Sequence, residues 1–246
     1  MGAGYHDADR HRDLRRHPVG RVLLEELDPA GLHLEAGCGA GFWVAALGSA
    51  GYRVEGIESS EGLVELIRLV APSLPVRQGD ALAIDRPAAV YDSYLSFGVV
   101  EHRREGPEPF LSEAARVLRP GGLLMLSVPH FGPLRKLRAR LGAYATSPPP
   151  GLPFYQYGFT LGELADLVSG AGFVVDRTLP VEPHRLLEEE SRAYDRLLGA
   201  APWVRAGAEA GLARFDGHMA VVMAHLPDGG GHREDRGEDR QEALGR

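Results

Sequence analysis

The sequence predicts an α/β protein built on a doubly wound, mostly parallel, seven-stranded Rossmann-like sheet, with helical insertions forming a lid. Three observations predict it. From residue 31 to about residue 130, short apolar runs alternate with stretches of helical periodicity. That rhythm belongs to repeated crossover units, and hence to a parallel sheet covered on both faces. The stretch "HLEAGCGAGFW", residues 33–43, sets three glycines at every second position directly after the first apolar run, as a tight strand-to-helix loop requires. The 246 residues are enough to bury one domain's core and still carry insertions.

The elements follow in order. Residues 9–27 place Leu14, Val22, Leu23 and Leu27 among charges, an amphipathic helix within an N-terminal lid segment, residues 1–30. Residues 31–36 form a short buried strand, followed by the glycine loop and a helix over 42–49. "YRVEGIE" is the second strand, and "SSEGLVELIRLV" the next helix, with Ser60 as N-cap and Glu61 in the first turn. "PVRQ" is a short third strand before Gly79 and Asp80. "VYDSYLSFG" is the fourth, leading through a charged loop to a helix over 109–118. "PGG" turns the chain into the fifth strand, "LLMLSVPH".

After residue 130 the rhythm breaks. Residues 131–159 are an insertion containing the proline-rich "TSPPPGLP". The rhythm resumes at residues 160–171, where Thr160 and Glu163 have capping-box spacing, and continues into the strand "GFVVDRTL". A second insertion, 182–217, has a helical pattern before the last strand, "HMAVVMAHL". The domain is therefore expected over 31–227. The glycine-rich, charged tail, 228–246, is expected to be disordered.

Composition excludes several function classes. A net charge of −7 lacks the basic field of a general nucleic-acid binder, so no nucleic-acid partner is expected. No apolar run reaches the roughly 18 residues of a membrane span. The N-terminal "MGAGYHDADRHRDLRRH" has no apolar core of the kind secretory signals carry, and a cytoplasmic location is expected. The single cysteine, Cys38, rules out an internal disulfide framework and a cysteine-based zinc cluster.

The glycine loop narrows the ligand. A phosphate-binding P-loop needs a lysine followed by a hydroxyl residue, and neither stands here. The dinucleotide fingerprint needs glycines at relative positions 1, 3 and 6. Counted from Gly37, the sixth position is Phe42, and the third glycine arrives one residue early at Gly41. A nicotinamide oxidoreductase is weakened by this spacing but stays open.

Glu35-Ala-Gly37-Cys-Gly39-Ala-Gly41 resembles the first motif of the class I S-adenosylmethionine-dependent methyltransferases, of the type acting on small molecules. "RVLRPGGLLMLSVP" resembles that family's helix, turn and fifth strand, and "FTLGELADLVSGAGFVV" the elements that complete its sheet. The resemblance implies S-adenosyl-L-methionine as cofactor. Glycines 37, 39 and 41 would let the backbone pass under it, with Cys38 packed in the loop and Glu35 offering charge to the methionine ammonium. Glu58 would accept from both ribose hydroxyls, and Asp80, with Ala81 beside it, would meet the adenine amino group. Ser59 and Phe97 join this set.

Two histidines qualify for catalysis because either can take a proton near neutral pH. His130 ends the fifth strand and is expected to face the acceptor. His102, in "VVEH", is expected chiefly to shape the cofactor pocket. A quinone-pathway subgroup of the family has a divalent metal in this stretch, but Gly98 stands where one ligand would be, and no metal is expected. In "LRKLRARL", Leu134, Leu137 and Leu141 share a helical face, with Arg135, Lys136, Arg138 and Arg140 between them. This helix would guide an anionic acceptor, lie on a membrane, or simply be solvated, the commonest case. "FYQYGF", with Phe154, Tyr155, Tyr157 and Phe159, either walls a substrate pocket or packs the insertion. Tyr5 and His6 either close a lid or fray.

The expected function is methyl transfer to O or N of a small-molecule acceptor. A methyltransferase acting on a macromolecule or lipid-linked glycan, a nicotinamide oxidoreductase, and a member that uses the pocket without methylating are the alternatives.

Overall fold

The structure, a computed structural model, describes residues 14, 15, 17–144, 153–190, 207, 211–213 and 215–228. The expectations for Tyr5 and His6, for most of "TSPPPGLP" and for the tail lie outside the described residues.

Seven strands form one sheet: β1 (Leu32–Ala36), β2 (Arg53–Glu58), β3 (Val76–Gln78), β4 (Tyr91–Phe97), β5 (Leu118–Pro129), β6 (Val174–Val181) and β7 (Met219–His225). Their order is β3-β2-β1-β4-β5-β7-β6. The first five strands run parallel, and β7 lies antiparallel between β5 and β6. The helices are α1 (Pro18–Glu26), α2 (Phe42–Ser49), α3 (Glu61–Val70), α4 (Glu108–Val117), α5 (Pro133–Arg140), α6 (Leu161–Gly170) and α7 (Pro183–Glu190).

Alternation along the strands explains the layers. On β5, Leu124, Leu126 and Val128 join the core beneath α4 and α6, whereas Met125 faces the core beneath α1 and α2. On β7, Ala220, Val222 and Ala224 face the first core, and Val221 and Met223 the second. Because side chains alternate across a strand, a continuous apolar run fills both layers, and helices must cover both.

The helix ends follow the local chemistry. Ser60 accepts from the Leu63 N–H at 3.4 Å as the α3 N-cap. The Thr160–Glu163 capping box forms in both directions. The first helix starts at Pro18 because His17 supplies the N-cap, its Nδ1 accepting from the Val19 N–H at 3.2 Å, and proline suits the first helical turn. The fifth strand begins earlier than expected, at Leu118, which pairs with Tyr91 before the register shifts around "PGG".

The basic helix gains partners that the sequence does not reveal. On α5, the Arg135 Nε donates to Glu190 Oε1 at 2.9 Å, and an Arg135 terminal nitrogen lies 3.1 Å from Glu189 Oε2. Arg138 pairs with Glu190 at 2.8 Å. Two of the four cations are thus tied to α7 of the second insertion, and no residue of α5 is buried. Pairing with α7, which sequence spacing does not reveal, turns the expected cationic face into a clasp between insertions.

Candidate active site

The strand order reverses between β1 and β4, and open α/β sheets bind ligands outside the carboxyl ends of their strands at such a point. A cleft of about 640 Å³ lies there. Its floor is the glycine loop. Gly37 and Gly41 both have left-handed backbone, with φ of +75° and +76°. A Cβ on Gly37 would stand 2.5 Å from Val99 Cγ2, and one on Gly41 would stand 2.7 Å from Leu74 Cδ2. The left-handed backbone demands glycine at both positions, and at Gly37 the β-branched Val99 leaves no room for a side chain. The Gly37 and Cys38 N–H groups donate to the Ile57 carbonyl at 2.9 Å each, and the Gly39 N–H donates to Glu58 Oε2 at 2.8 Å.

The cleft walls come from four strand ends. The first loop contributes Glu35, Gly37, Cys38 and Gly39; the end of β2, Glu58 and Ser59; the turn after β3, Asp80 and Ala81. Phe97 and Gly98 end β4, and His102 and Arg103 follow. Of the residues expected to hold the cofactor, Gly41 alone is not part of the wall; it caps α2 from outside the cleft. Sequence reasoning missed Trp43, Leu82, Arg103 and Phe110 as wall residues. Aromatic, leucine and surface arginine positions give no signal until the chain is folded.

Three carboxylates set the electrostatics. Glu35 is 3 % exposed, and its Oε2 accepts the Val44 N–H at 3.2 Å. Burial pushes its pKa well above the usual carboxylate range, and the nearby Glu58 charge adds to the effect. Glu58 is a hub: besides Gly39, it accepts from the Ser60 N–H at 2.9 Å and the Ser59 hydroxyl at 3.3 Å. Asp80 Oδ1 accepts the Leu82 N–H at 2.8 Å and so holds its own turn. Burial and the same two glutamates push the Cys38 thiol up to about 12, so it stays protonated and poorly nucleophilic near neutral pH.

The structure separates the two histidines, and only His130 lies away from its expected place. His102 lines the cleft, at the end of a 3-10 turn, residues Val100–His102. Its Nδ1 lies 2.8 Å from the Tyr155 carbonyl oxygen. A carbonyl only accepts, so Nδ1 carries the proton and Nε2 of the neutral ring bears the lone pair. The Tyr155 ring stands edge-on to it at 5.2 Å. His130 is not part of the cleft wall. It is 2 % exposed, with Nδ1 3.2 Å from Asp216 Oδ1. The end of β5 is covered by the strand-like return of the first insertion, where the Phe159 N–H donates to the Pro129 carbonyl at 2.9 Å.

Residues 34–126 match a family described as "Methyltransferase domain". A "Probable S-adenosylmethionine-dependent methyltransferase" of Mycolicibacterium smegmatis is 32% identical over 177 residues, 71% of this chain and 64% of that one. The chain belongs to the class I S-adenosylmethionine-dependent methyltransferases. A ubiquinone biosynthesis O-methyltransferase of Ruegeria pomeroyi is 32% identical over 165 residues, 64% of this chain and 66% of that one. A solved methyltransferase from Methanosarcina mazei shares the fold, with a TM-score of 0.59 at 19% identity, covering 84% of this chain and 97% of that one. The match spans between 55% and 64% of the length of the first curated relatives.

S-adenosylmethionine is the cofactor of this superfamily, and the residues present fit it. Among the described residues the wall holds three carboxyl groups and one guanidinium, a lining poorly matched to the pyrophosphate of a dinucleotide and suited to a sulfonium and an ammonium. Membership in the methyltransferases displaces the nicotinamide reading.

The raised pKa of Glu35 has a measurable consequence. An ammonium placed beside Glu35 favours its ionised form, so cofactor binding is expected to release a proton. Affinity for S-adenosylhomocysteine should therefore rise as pH rises toward the elevated pKa, and Glu35→Gln should flatten the dependence. Calorimetry in buffers of different ionisation enthalpy measures the proton count, and a count of zero would refute the coupling. Without cofactor the sign for folding is opposite. The folded chain holds a proton that the unfolded chain releases, so the Glu35 contribution to stability falls as pH rises from the usual carboxylate range toward the raised value.

Proposed function

We propose that this protein transfers the methyl group of S-adenosylmethionine by in-line displacement to an oxygen or nitrogen of a small-molecule acceptor. The observation that carries the proposal is the charge pattern of the cleft: three carboxylates on a glycine floor at the strand-order reversal. When bound, the cofactor supplies an electrophilic methyl on a sulfur that leaves uncharged, so the chain must chiefly position the acceptor and remove any proton it carries. Glu58 holds the Gly39 amide and presents a carboxylate to the ribose hydroxyls. Glu35 offers charge to the ammonium. His102 Nε2 is the proton acceptor for a hydroxyl, or for an ammonium that must become the neutral amine before it attacks, its tautomer fixed by the Tyr155 carbonyl. Its imidazolium would lie near Glu101 Oε1, 3.9 Å from Nε2.

A small acceptor is supported by the ubiquinone-pathway O-methyltransferase relatives and by the first insertion folding back beside the cleft, where the Tyr157 N–H donates to the Glu101 carbonyl at 3.0 Å. A docking surface for a macromolecule or glycan loses support, because Arg135 and Arg138 are already paired. The test is S-adenosylhomocysteine release with a panel of phenols, hydroxy acids and amines. Turnover is expected with at least one class, and His102→Gln should lower kcat by about 100-fold or more while leaving S-adenosylhomocysteine affinity unchanged. Tight cofactor binding without transfer to any acceptor would instead assign a non-methylating role.

A further inference from the structure

Arg103 is unlike the other charged residues of the cleft. Glu35, Glu58 and Asp80 each accept at least one hydrogen bond that holds the loop or turn around them. Arg103 lines the same cleft but has no such bond among the described residues. Its Nε is buried and unpartnered. The nearest opposite charge, Glu105 Oε2, lies 3.8 Å away on a side chain that is 68% exposed, beyond hydrogen-bond distance and in solvent, where an ion pair is weak. Among the described residues the cleft therefore carries one planar cationic fork with an unused buried donor, directly after the His102 ring.

We propose that Arg103 is the anion-recognising residue of the acceptor half of the cleft, and that the acceptor is a hydroxy acid whose carboxylate meets this guanidinium while its hydroxyl lies at His102. The inference rests on the methyltransferase reading and narrows its substrate class. Guanidinium and carboxylate match in geometry and charge, and a fork can hold both oxygens at once. The donor's cationic groups are matched by the glutamates, so the single guanidinium is left for an anion. Phe110, in the same wall, and Tyr155, against His102, offer ring faces suited to an aromatic acceptor.

The donor's own methionine carboxylate is the other source of this chemistry, and the experiment separates the two. Protein loaded with S-adenosylhomocysteine is titrated with three probe acids, salicylate, 3-hydroxybenzoate and 4-hydroxybenzoate, and with the corresponding uncharged amides. Binding is read by calorimetry or ligand-observed NMR, so no turnover is needed. At least one acid should bind tenfold or more tighter than its amide. Arg103→Gln should erase that preference and leave S-adenosylhomocysteine affinity within twofold, and Arg103→Lys, keeping charge without the fork, should retain part of it. Two results would overturn the proposal: no wild-type preference for any acid over its amide, or a tenfold loss of S-adenosylhomocysteine affinity in Arg103→Gln with the acid preference intact. Failure of wild-type protein to bind S-adenosylhomocysteine would overturn the methyltransferase reading itself, an outcome distinct from both.

Discussion

Replacing Glu58 by alanine is expected to weaken S-adenosylhomocysteine binding by about 100-fold, close to 3 kcal/mol. Two losses add. The ribose hydroxyls lose a charged acceptor, and hydrogen bonds to charged groups contribute about 1.5–3 kcal/mol each. The glycine loop also loses its tether, because Glu58 Oε2 accepts the Gly39 N–H at 2.8 Å while Oε1 holds the Ser60 N–H at 2.9 Å. In the proposed role the same carboxylate both binds the ligand and fixes the floor on which the ligand lies. Glu58→Gln, which keeps one acceptor oxygen of nearly the same shape, should fall between wild type and alanine. Titration calorimetry decides the matter, and unchanged affinity in the alanine variant would refute the assigned role.

Replacing Asp216 by alanine is expected to cost about 3–5 kcal/mol of folding stability, because the buried donors it satisfies lose their partner at about 1–3 kcal/mol each. Asp216 is 1% exposed. Oδ2 accepts the Leu134 N–H in the first turn of α5 at 2.7 Å, and Oδ1 accepts the Gly217 N–H at 2.9 Å and lies 3.2 Å from His130 Nδ1. One carboxylate thus caps α5 of the first insertion, fixes the entry to β7 and orients a histidine at the end of β5. Burial acts to raise its pKa, but the adjacent His130 ring and the hydrogen bonds from Leu134 and Gly217 outweigh burial and hold it below the ordinary aspartate value. Its contribution is present above the unfolded-state pKa and is lost as pH falls through the lowered folded-state one. Denaturant unfolding of wild type and variant near neutral pH measures the cost; a loss below about 1 kcal/mol would show that the insertions do not depend on this carboxylate.

The fold was legible in the sequence because its signals are local. A strand such as "LLMLSVP" is apolar at every position but Ser127 because both of its faces are covered, and a capping box such as Thr160–Glu163 lies within a single turn. Element ends were less legible where pairing decided them: Leu118 extends β5 only because Tyr91 lies opposite. At the site, the glycine loop, Glu58 and Asp80 could be read because a backbone that turns under a ligand restricts residue type within a few positions.

By itself, the sequence determined the order of the strands along the chain, the glycine floor with its left-handed residues, and the acids at the ends of β1, β2 and β3. The tertiary structure alone decided how the rest converges. The Tyr155 carbonyl that fixes the His102 tautomer lies 53 residues along the chain, and Asp216 caps α5 from a distance of 82 residues. Arg135 meets Glu190 across 55 residues, and so becomes a clasp instead of a free cation. Periodicity and dihedral preference act over one or two turns of chain. The partners of a charged or titratable side chain depend on how the two insertions return across the sheet edge, and no short window of sequence contains that path.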